Sequence, residues 1–213
     1  GQPKGRYWVL DPVDGTKGFL RRMQYATALA LVEDGEVILG VLGCPNLPYS
    51  GNTGVMAYAY HGQGAWWQPY TQQMEAQPMR VSEIKDLSQF RILRSFEDSH
   101  TDSSRIDSFA RQAGVTVDPV RMDSQAKYGI LARGDGTVYL RLPTRKGYEE
   151  KIWDHAAGCI IVEEAGGKVT DLSGRPLDFS QGKTLAKNKG VIATNGKLHE
   201  IVMAAVKSVI SKQ

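Results

Sequence analysis

Asp11 and Asp14 stand three residues apart at the end of an apolar run, Arg6 to Leu10, within the string WVLDPVDGTKGF that covers Trp8 to Phe19. Hard divalent cations take several oxygen ligands, and Mg²⁺ keeps waters that a phosphate can displace. Two carboxylates with the Val13 carbonyl between them supply half of such a shell. Pro12 has a fixed φ and stiffens the turn, so the spacing of the two acids is set before anything binds. Gly15 lets the backbone come close to an anion, and Thr16 adds a hydroxyl. Consecutive N–H groups here suit a phosphate. D-P-x-D-G alone reads as an Asx-type turn, because Asp-Pro and Asp-Gly both serve turns. The full string carries the metal reading.

A third acid, Asp154, opens an apolar segment, Trp153-Asp154-His155-Ala156-Ala157-Gly158, that runs on to Glu163-Glu164-Ala165-Gly166-Gly167. As an N-cap it would bond a free helix N–H. As a ligand it would offer the other oxygen, and a carboxylate has lone pairs for both. Gly158 and Ala157 suit close packing of that helix against a neighbour. Gly166-Gly167 reads as a helix stop.

The elements that must position these acids follow from periodicity. Arg6–Leu10 is expected as a buried strand ending at Asp11-Pro12. Tyr25–Val32 and Val37–Leu42 form a hairpin through Asp34-Gly35. Cys44–Gly54 reads as a loop, and Val55–Tyr60 pairs with Gly64–Trp67. Arg91–Ser95, Thr137–Leu142, Lys168–Thr170 and Gly190–Thr194 read as strands. Helices are predicted over Asp102–Ala113, Asp123–Arg133, Trp153–Ala165 and Leu198–Ile210. The order gives an α+β unit over residues 1–95 and an α/β unit over residues 96–213, with a boundary near Arg94–Glu97.

A chain of 213 residues can bury a real core, and a hydrophobic fraction of 41% is that of an ordinary globular protein. The net charge of +3 is dispersed among acids, which excludes a nucleic-acid footprint and suits a small anionic partner. No run is apolar for long enough to cross a bilayer. Cys44 and Cys159 sit in apolar runs and read as buried free thiols. With no signal-like start, a cytoplasmic or organellar location is expected rather than secretion. Gly stands at position 1 and a core strand follows almost at once, the pattern of a piece cut from a longer chain.

With both acidic segments in hand, the chain resembles the lithium-sensitive, magnesium-dependent phosphatase superfamily of inositol monophosphatase. Its signatures look like W-x-x-D-P-x-D-G-T-x-x-F (Trp8 to Phe19) and W-D-x-x-A-G with a trailing E-A-G-G (Trp153 to Gly167). The variants DGTKGF, DSQAKY (Asp123 to Tyr128), VYLRLP (Val138 to Pro143) and YEEKIWD (Tyr148 to Asp154) are similar to the 3′(2′),5′-bisphosphate nucleotidases of fungi and plants. The resemblance implies a layered α/β sandwich and hydrolysis of adenosine 3′,5′-bisphosphate, and of its sulfated precursor, with Mg²⁺ as cofactor. It implies Asp11, Asp14, Asp154 and the Val13 carbonyl as metal ligands. Thr16 would orient the attacking water, and the Gly15 and Thr16 amides would meet the scissile phosphate. His100, Ser124, Lys127 and Arg141 would hold the nucleotide and its second phosphate.

The chemistry of these residues agrees. Lys127 suits a phosphate as a point charge and Arg141 as a fork, although each taken singly also reads as a solvated charge. Ser124 and Lys127, three apart, would share a helix face. His100 reads equally as a solvated loop residue, and His155 as a helix-start residue rather than a base.

The family's Glu-rich metal segment and water-activating acid lie upstream of the first signature, so the resemblance places both, with the N-terminal helices, outside this chain. The first sheet would then be uncovered on one face. A non-catalytic chain that binds a nucleotide or a metal, and an inositol polyphosphate 1-phosphatase, are the competing readings.

Overall fold

A computed structural model of the chain describes residues 4–70, 75–96, 101–145 and 147–211. Six strands, β1 (Arg6–Asp14), β2 (Ala26–Glu33), β3 (Glu36–Tyr49), β4 (Asn52–Tyr60), β5 (Ala65–Pro69) and β6 (Gln77–Pro78), pair in sequence order as an antiparallel sheet. Five more make a second sheet in the order β10-β11-β9-β7-β8: β7 (Ile92–Arg94), β8 (Val120–Arg121), β9 (Val138–Arg141), β10 (Lys168–Thr170) and β11 (Val191–Thr194). β7 runs parallel to β8 and β9, and the other pairs are antiparallel. A short helix α1 (Thr16–Leu20) follows β1, and four longer helices are α2 (Ser103–Gln112), α3 (Ala126–Ala132), α4 (Ala156–Glu164) and α5 (His199–Ser211).

The layers follow from which faces are apolar. α4 is buried on every side from Ala156 to Val162, as a helix lying between two layers must be. It packs on the first sheet and beside α3, and its core continues into Leu93, Tyr139 and Val191 of the second sheet. On the far side of the second sheet, α2 and α5 enclose Phe90, Ile106, Phe109, Leu140, Ile192 and Val206. The result is an α+β sandwich of sheet, helices, sheet and helices. Among the described residues, no helix is long and apolar enough to cross a membrane.

Small residues set the spacing at the centre. β2 turns Ala26, Ala28 and Ala30 inward, and β4 turns Ala57 and Ala59 inward. A Cβ on Gly40 would stand 2.5 Å from Ile160 Cγ2 and 2.7 Å from the Ala157 carbonyl, so α4 lies almost on the sheet backbone. The other face of this sheet carries a cross-strand row of Trp8, Leu31, Leu39 and Tyr60, of which Trp8 and Tyr60 are exposed.

Several expected boundaries move. β1 does not stop at Asp11-Pro12. It continues to Asp14 through an irregularity in which three steps along β1 oppose two along β2, because Asp11 pairs with Ala28 and Asp14 with Ala26. The expected loop Cys44–Gly54 is mostly strand: β3 and β4 meet at Ser50-Gly51, whose positive φ angles make a tight hairpin turn like that of Asp34-Gly35. The prolines of that stretch sit where the β3–β4 register shifts between Cys44 and Pro48, and Cys44 and Leu47 still face the core. The second predicted helix starts at Ala126, because Ser124 has φ 70°. The third begins at Ala156, after a 3-10 turn Ile152–Asp154. Cys44 and Cys159 are buried free thiols.

Gly158 is where α4 meets α3, and a Cβ there would lie 2.2 Å from Tyr128 Cδ2. Overpacking of this kind costs about 1–3 kcal/mol. Gly158→Ala is therefore expected to lower the unfolding free energy by that amount, read from a fall in the urea midpoint. An unchanged midpoint would show that the two helices are not in the contact described.

Candidate functional site

In a regular strand, residues three apart point to opposite faces. The extra residue in β1 changes that. It brings Asp11 and Asp14 to one side, where they meet Asp154 from the 3-10 turn before α4. Oxygens of all three carboxylates lie within 4.8 Å of one another. Bulges of this kind re-aim side chains next to functional sites. The Asp11 Oδ1 accepts from the Val13 N–H at 3.1 Å, and the Val13 carbonyl accepts from the Thr16 hydroxyl at 3.1 Å. Thr27 Oγ1 on β2 ties down the Pro12 carbonyl at 2.9 Å. At Gly15, φ is 79° and a Cβ would come within 2.9 Å of Ser124 Cβ, so a glycine is needed for the acidic turn to lie against the loop before α3.

Gln125 joins the three segments. Its main-chain N–H donates to Asp14 Oδ2 at 2.5 Å, its side-chain Nε2 donates to the Trp153 carbonyl at 2.7 Å, and its Oε1 accepts from the Gly158 N–H at 3.2 Å. The remote acids are thus cross-braced through one buried amide.

Lys127 and Arg141 enter the same cleft beside the acids. Lys127, in the first turn of α3, is buried; its ammonium donates to the Met122 carbonyl at 3.1 Å and lies 5.2 Å from the centre of the Tyr139 ring. Arg141 ends β9. Its Nε and Nη2 meet the two oxygens of Glu150 at 3.3 and 2.6 Å, and its Nη2 stands 3.8 Å from Asp154 Oδ2. Together these residues line a cleft of about 280 Å³, with Asp123, Tyr139, Lys17 and Ser95 completing the walls.

The titration behaviour follows from burial and from crowding of like charges. Burial, more than any neighbour, pushes Asp14 up to about 6; Asp154 and Asp11 add to this, while Lys127 and the Gln125 N–H oppose it. Asp11 is raised by burial and by Asp154, against its bond from Val13. Burial brings Lys127 down to about 8 despite the attraction of Asp14. Glu150 goes the other way: burial favours its neutral form, but bonds from His155 and Arg141 overcome this and hold it at about 2. Three carboxylates crowded at one end of the cleft, two of them resisting ionisation, form an acidic cluster that can bind a metal ion. An all-oxygen donor set suits a hard cation.

Nine of the ten residues singled out from the sequence, Asp11, Val13, Asp14, Gly15, Thr16, Ser124, Lys127, Arg141 and Asp154, line this one cleft. His100 lies outside the described residues. Ser124 does not share a helix face with Lys127 as predicted; it precedes α3 in a left-handed conformation and its hydroxyl accepts from the Ala126 N–H at 3.2 Å. Asp154 is not a helix cap, since that position falls to His155 and no side chain caps the helix. The His155 ring is fully buried between Tyr128 and Glu150. Gln125, Glu150 and Tyr139 carry no assignment in the sequence reading. Glu150 sits in the charged stretch Tyr148-Glu149-Glu150-Lys151, where nothing distinguishes it from a solvated acid.

The cleft brings an acidic cluster that can bind a metal ion together with the cationic side chains of Lys127 and Arg141. A profile of the inositol monophosphatase family matches residues 1–211, and the chain belongs to that family, whose members depend on metal ions. A 3′(2′),5′-bisphosphate nucleotidase of Emericella nidulans is 47% identical over 99% of this chain and 65% of its own length. One from Oryza sativa is 50% identical over 100% of this chain and 62% of its own length. The chain therefore spans somewhat under two thirds of these relatives. Among solved structures, an IMPase from Thermotoga maritima superposes with a TM-score of 0.74 at 28% identity, covering 97% of this chain and 70% of that one. An inositol monophosphatase from Anabaena shares the fold with a TM-score of 0.73 at 23% identity, covering 100% of this chain and 77% of that one.

Asp14 is held at about 6 in the fold against 3.8 for a free side chain, so the fold prefers its protonated form. The stability this confers is complete below pH 3.8 and is lost as pH rises through about 6. Asp14→Asn removes the titration and keeps an acceptor for the Gln125 N–H. Without divalent cation, the variant is expected to gain on the parent protein by about 1–3 kcal/mol between roughly pH 4 and pH 7, followed by urea denaturation. A difference that stays flat across this range would mean that Asp14 is not a crowded buried charge.

Proposed function

We propose that this chain supplies the metal-binding and nucleotide-binding walls of a 3′(2′),5′-bisphosphate nucleotidase, which hydrolyses adenosine 3′,5′-bisphosphate to AMP and phosphate. The observation that carries the reading is the convergence of Asp11, Asp14 and Asp154 beside Lys127 and Arg141 in one cleft. The names of the relatives from Emericella nidulans and Oryza sativa support the substrate class.

Asp11, Asp14, Asp154 and the Val13 carbonyl would hold Mg²⁺. When bound, Mg²⁺ shields the phosphate charge and polarises a phosphoryl oxygen. The remaining work falls to the chain. The Gly15 and Thr16 amides receive the oxygens of the scissile phosphate. The Thr16 hydroxyl spends its proton on the Val13 carbonyl, which fixes the Oγ lone pairs as acceptors for a proton of the attacking water. Lys127 and Arg141 hold the second phosphate, one as a point charge and the other with the guanidinium edge not taken by Glu150. Ser124 orients the nucleotide between them, and His100 is assigned to the same task. Fixing both phosphates holds the ester in line with the water, where positioning supplies much of the rate.

Phosphate release from adenosine 3′,5′-bisphosphate by the purified protein tests the reading. Release that requires Mg²⁺ and stops with chelator is expected. Release from inositol 1,4-bisphosphate but not from the nucleotide would overturn the substrate, and tight nucleotide binding with no release would overturn the catalytic role.

Two variants separate the walls. Asp154 caps no helix, so Asp154→Asn is expected to leave the thermal midpoint nearly unchanged and to lower kcat/KM by about 10²-fold or more, the scale on which catalytic groups act. Retained activity would remove Asp154 from the ligand set. Lys127→Met keeps the buried volume and removes the charge; it is expected to weaken nucleotide binding about 10–100-fold, the worth of one charged hydrogen bond, with Mg²⁺ affinity retained. Unchanged nucleotide affinity by calorimetry would remove Lys127 from the anion site.

A further inference from the structure

Arg141 is ion-paired with two carboxylates and hydrogen-bonded to one of them. Its Nε and Nη2 meet Glu150 at 3.3 and 2.6 Å, while the same Nη2 stands 3.8 Å from Asp154. Glu150 is braced from behind. His155 Nε2 lies 3.0 Å from Glu150 Oε2, and His155 Nδ1 lies 2.7 Å from the Tyr128 hydroxyl. A carboxylate only accepts, so Nε2 donates to Glu150, and Nδ1 shares a hydrogen bond with the Tyr128 hydroxyl. Glu150, His155 and Tyr128 are all buried, and none of them lines the cleft. A buried ion pair is weak grounds for a stabilising role, because desolvation offsets much of the attraction. Placement of the guanidinium is what the arrangement does achieve. Glu150 occupies the Nε–Nη2 edge of Arg141 and leaves Nη1 uncommitted to it.

We propose that Glu150 is a positioning residue that holds Arg141 beyond hydrogen-bond reach of Asp154, keeping the Asp154 carboxylate available to a cation and the guanidinium aimed into the cleft. The proposal rests on the ligand role of Asp154 given above. Once the Glu150 charge is gone, Asp154 is the nearest carboxylate to the guanidinium, and a shift of about 1 Å draws their 3.8 Å ion pair into a direct hydrogen-bonded pair. That pair would remove a cation ligand and an anion donor together. His155 and Tyr128 set where Glu150 stands, so the brace extends from α3 through the buried ring to the end of β9.

Mn²⁺ titrations of the purified chain, followed by the electron paramagnetic resonance signal of the free ion, test this on Asp154→Asn, Glu150→Gln and Glu150→Gln/Arg141→Met. The first two are each expected to weaken Mn²⁺ binding roughly 10–100-fold, the usual effect of disturbing a ligand's support. The double variant is expected to return to near the parent affinity, because no guanidinium is left to pair with Asp154. A merely structural Glu150 would not be rescued by removing Arg141, so a double variant as weak as Glu150→Gln overturns the proposal. Parent-like affinity in Glu150→Gln alongside weak binding in Asp154→Asn overturns it too, and leaves the ligand role standing. Parent-like affinity in Asp154→Asn overturns the ligand role itself. If Glu150→Gln does not fold, Glu150→Asp keeps the charge at shorter reach and is expected to show the same loss, relieved by Arg141→Met. No loss in Glu150→Asp overturns the proposal.

Discussion

Mutual repulsion among Asp11, Asp14 and Asp154 is the constraint on which the rest of the structure depends. Carboxylates within 4.8 Å of one another, all half-buried at one cleft, do not come together unaided. Something must hold them there, and neutral parts of the fold do so beside the charges of Lys127 and Arg141. The Gln125 amide and main chain bond to Asp14, Trp153 and Gly158. The β1 irregularity is pinned to β2 by Thr27. Such bonds fix geometry without neutralising charge, so the cluster stays ready for a cation.

The packing beneath the cleft serves the same end. α4 can carry Asp154 to the end of β1 only if it lies close to the first sheet and to α3 at once. Gly40 admits α4 on one side and Gly158 admits Tyr128 on the other, both at distances that a Cβ would forbid. Close-packed interiors transmit displacement rather than absorb it. A methyl group at either position would therefore move Asp154 relative to Asp11 and Asp14, and cation affinity would respond as well as stability.

Much of this was legible in the sequence, for identifiable reasons. Alternating small apolar residues mark β2 and β4, Asp34-Gly35 marks its turn, and Ile106 and Phe109 mark the buried face of α2. The acids at Asp11, Asp14 and Asp154 stood out because charge at the end of an apolar run is expensive. What escaped depends on single dihedral angles or on long-range partners. The bulge after Asp11 has no periodic signal, so β1 read as ending there. The left-handed Ser124 looked like the start of a helix. Prolines in Cys44–Gly54 argued for a loop, but they fall where the ladder is already irregular and so remove little from it. Glu150 was invisible because its neighbours in sequence, Glu149 and Lys151, are charged too, whereas Arg141, its partner in space, lies on another element.

Lys127 and Arg141 complement the acids in different ways. Arg141 is charged at any ordinary pH and needs Glu150 to aim it. Lys127 is brought down to about 8 by burial, while burial takes Asp14 up to about 6. Between those values, the acid that would grip a metal and the amine that would grip a phosphate are ionised together, each supported by the other's charge. Below about 6, protonation of Asp14 withdraws an attraction that keeps Lys127 charged, and above about 8 loss of the Lys127 proton makes Asp14 harder to ionise. A cation on the acids draws Asp14 down, and an anion against Lys127 draws the amine up, so each ligand widens the interval from its own side. The walls of the cleft are thus coupled through their protons as well as through the arm of Arg141 that reaches from Glu150 toward Asp154.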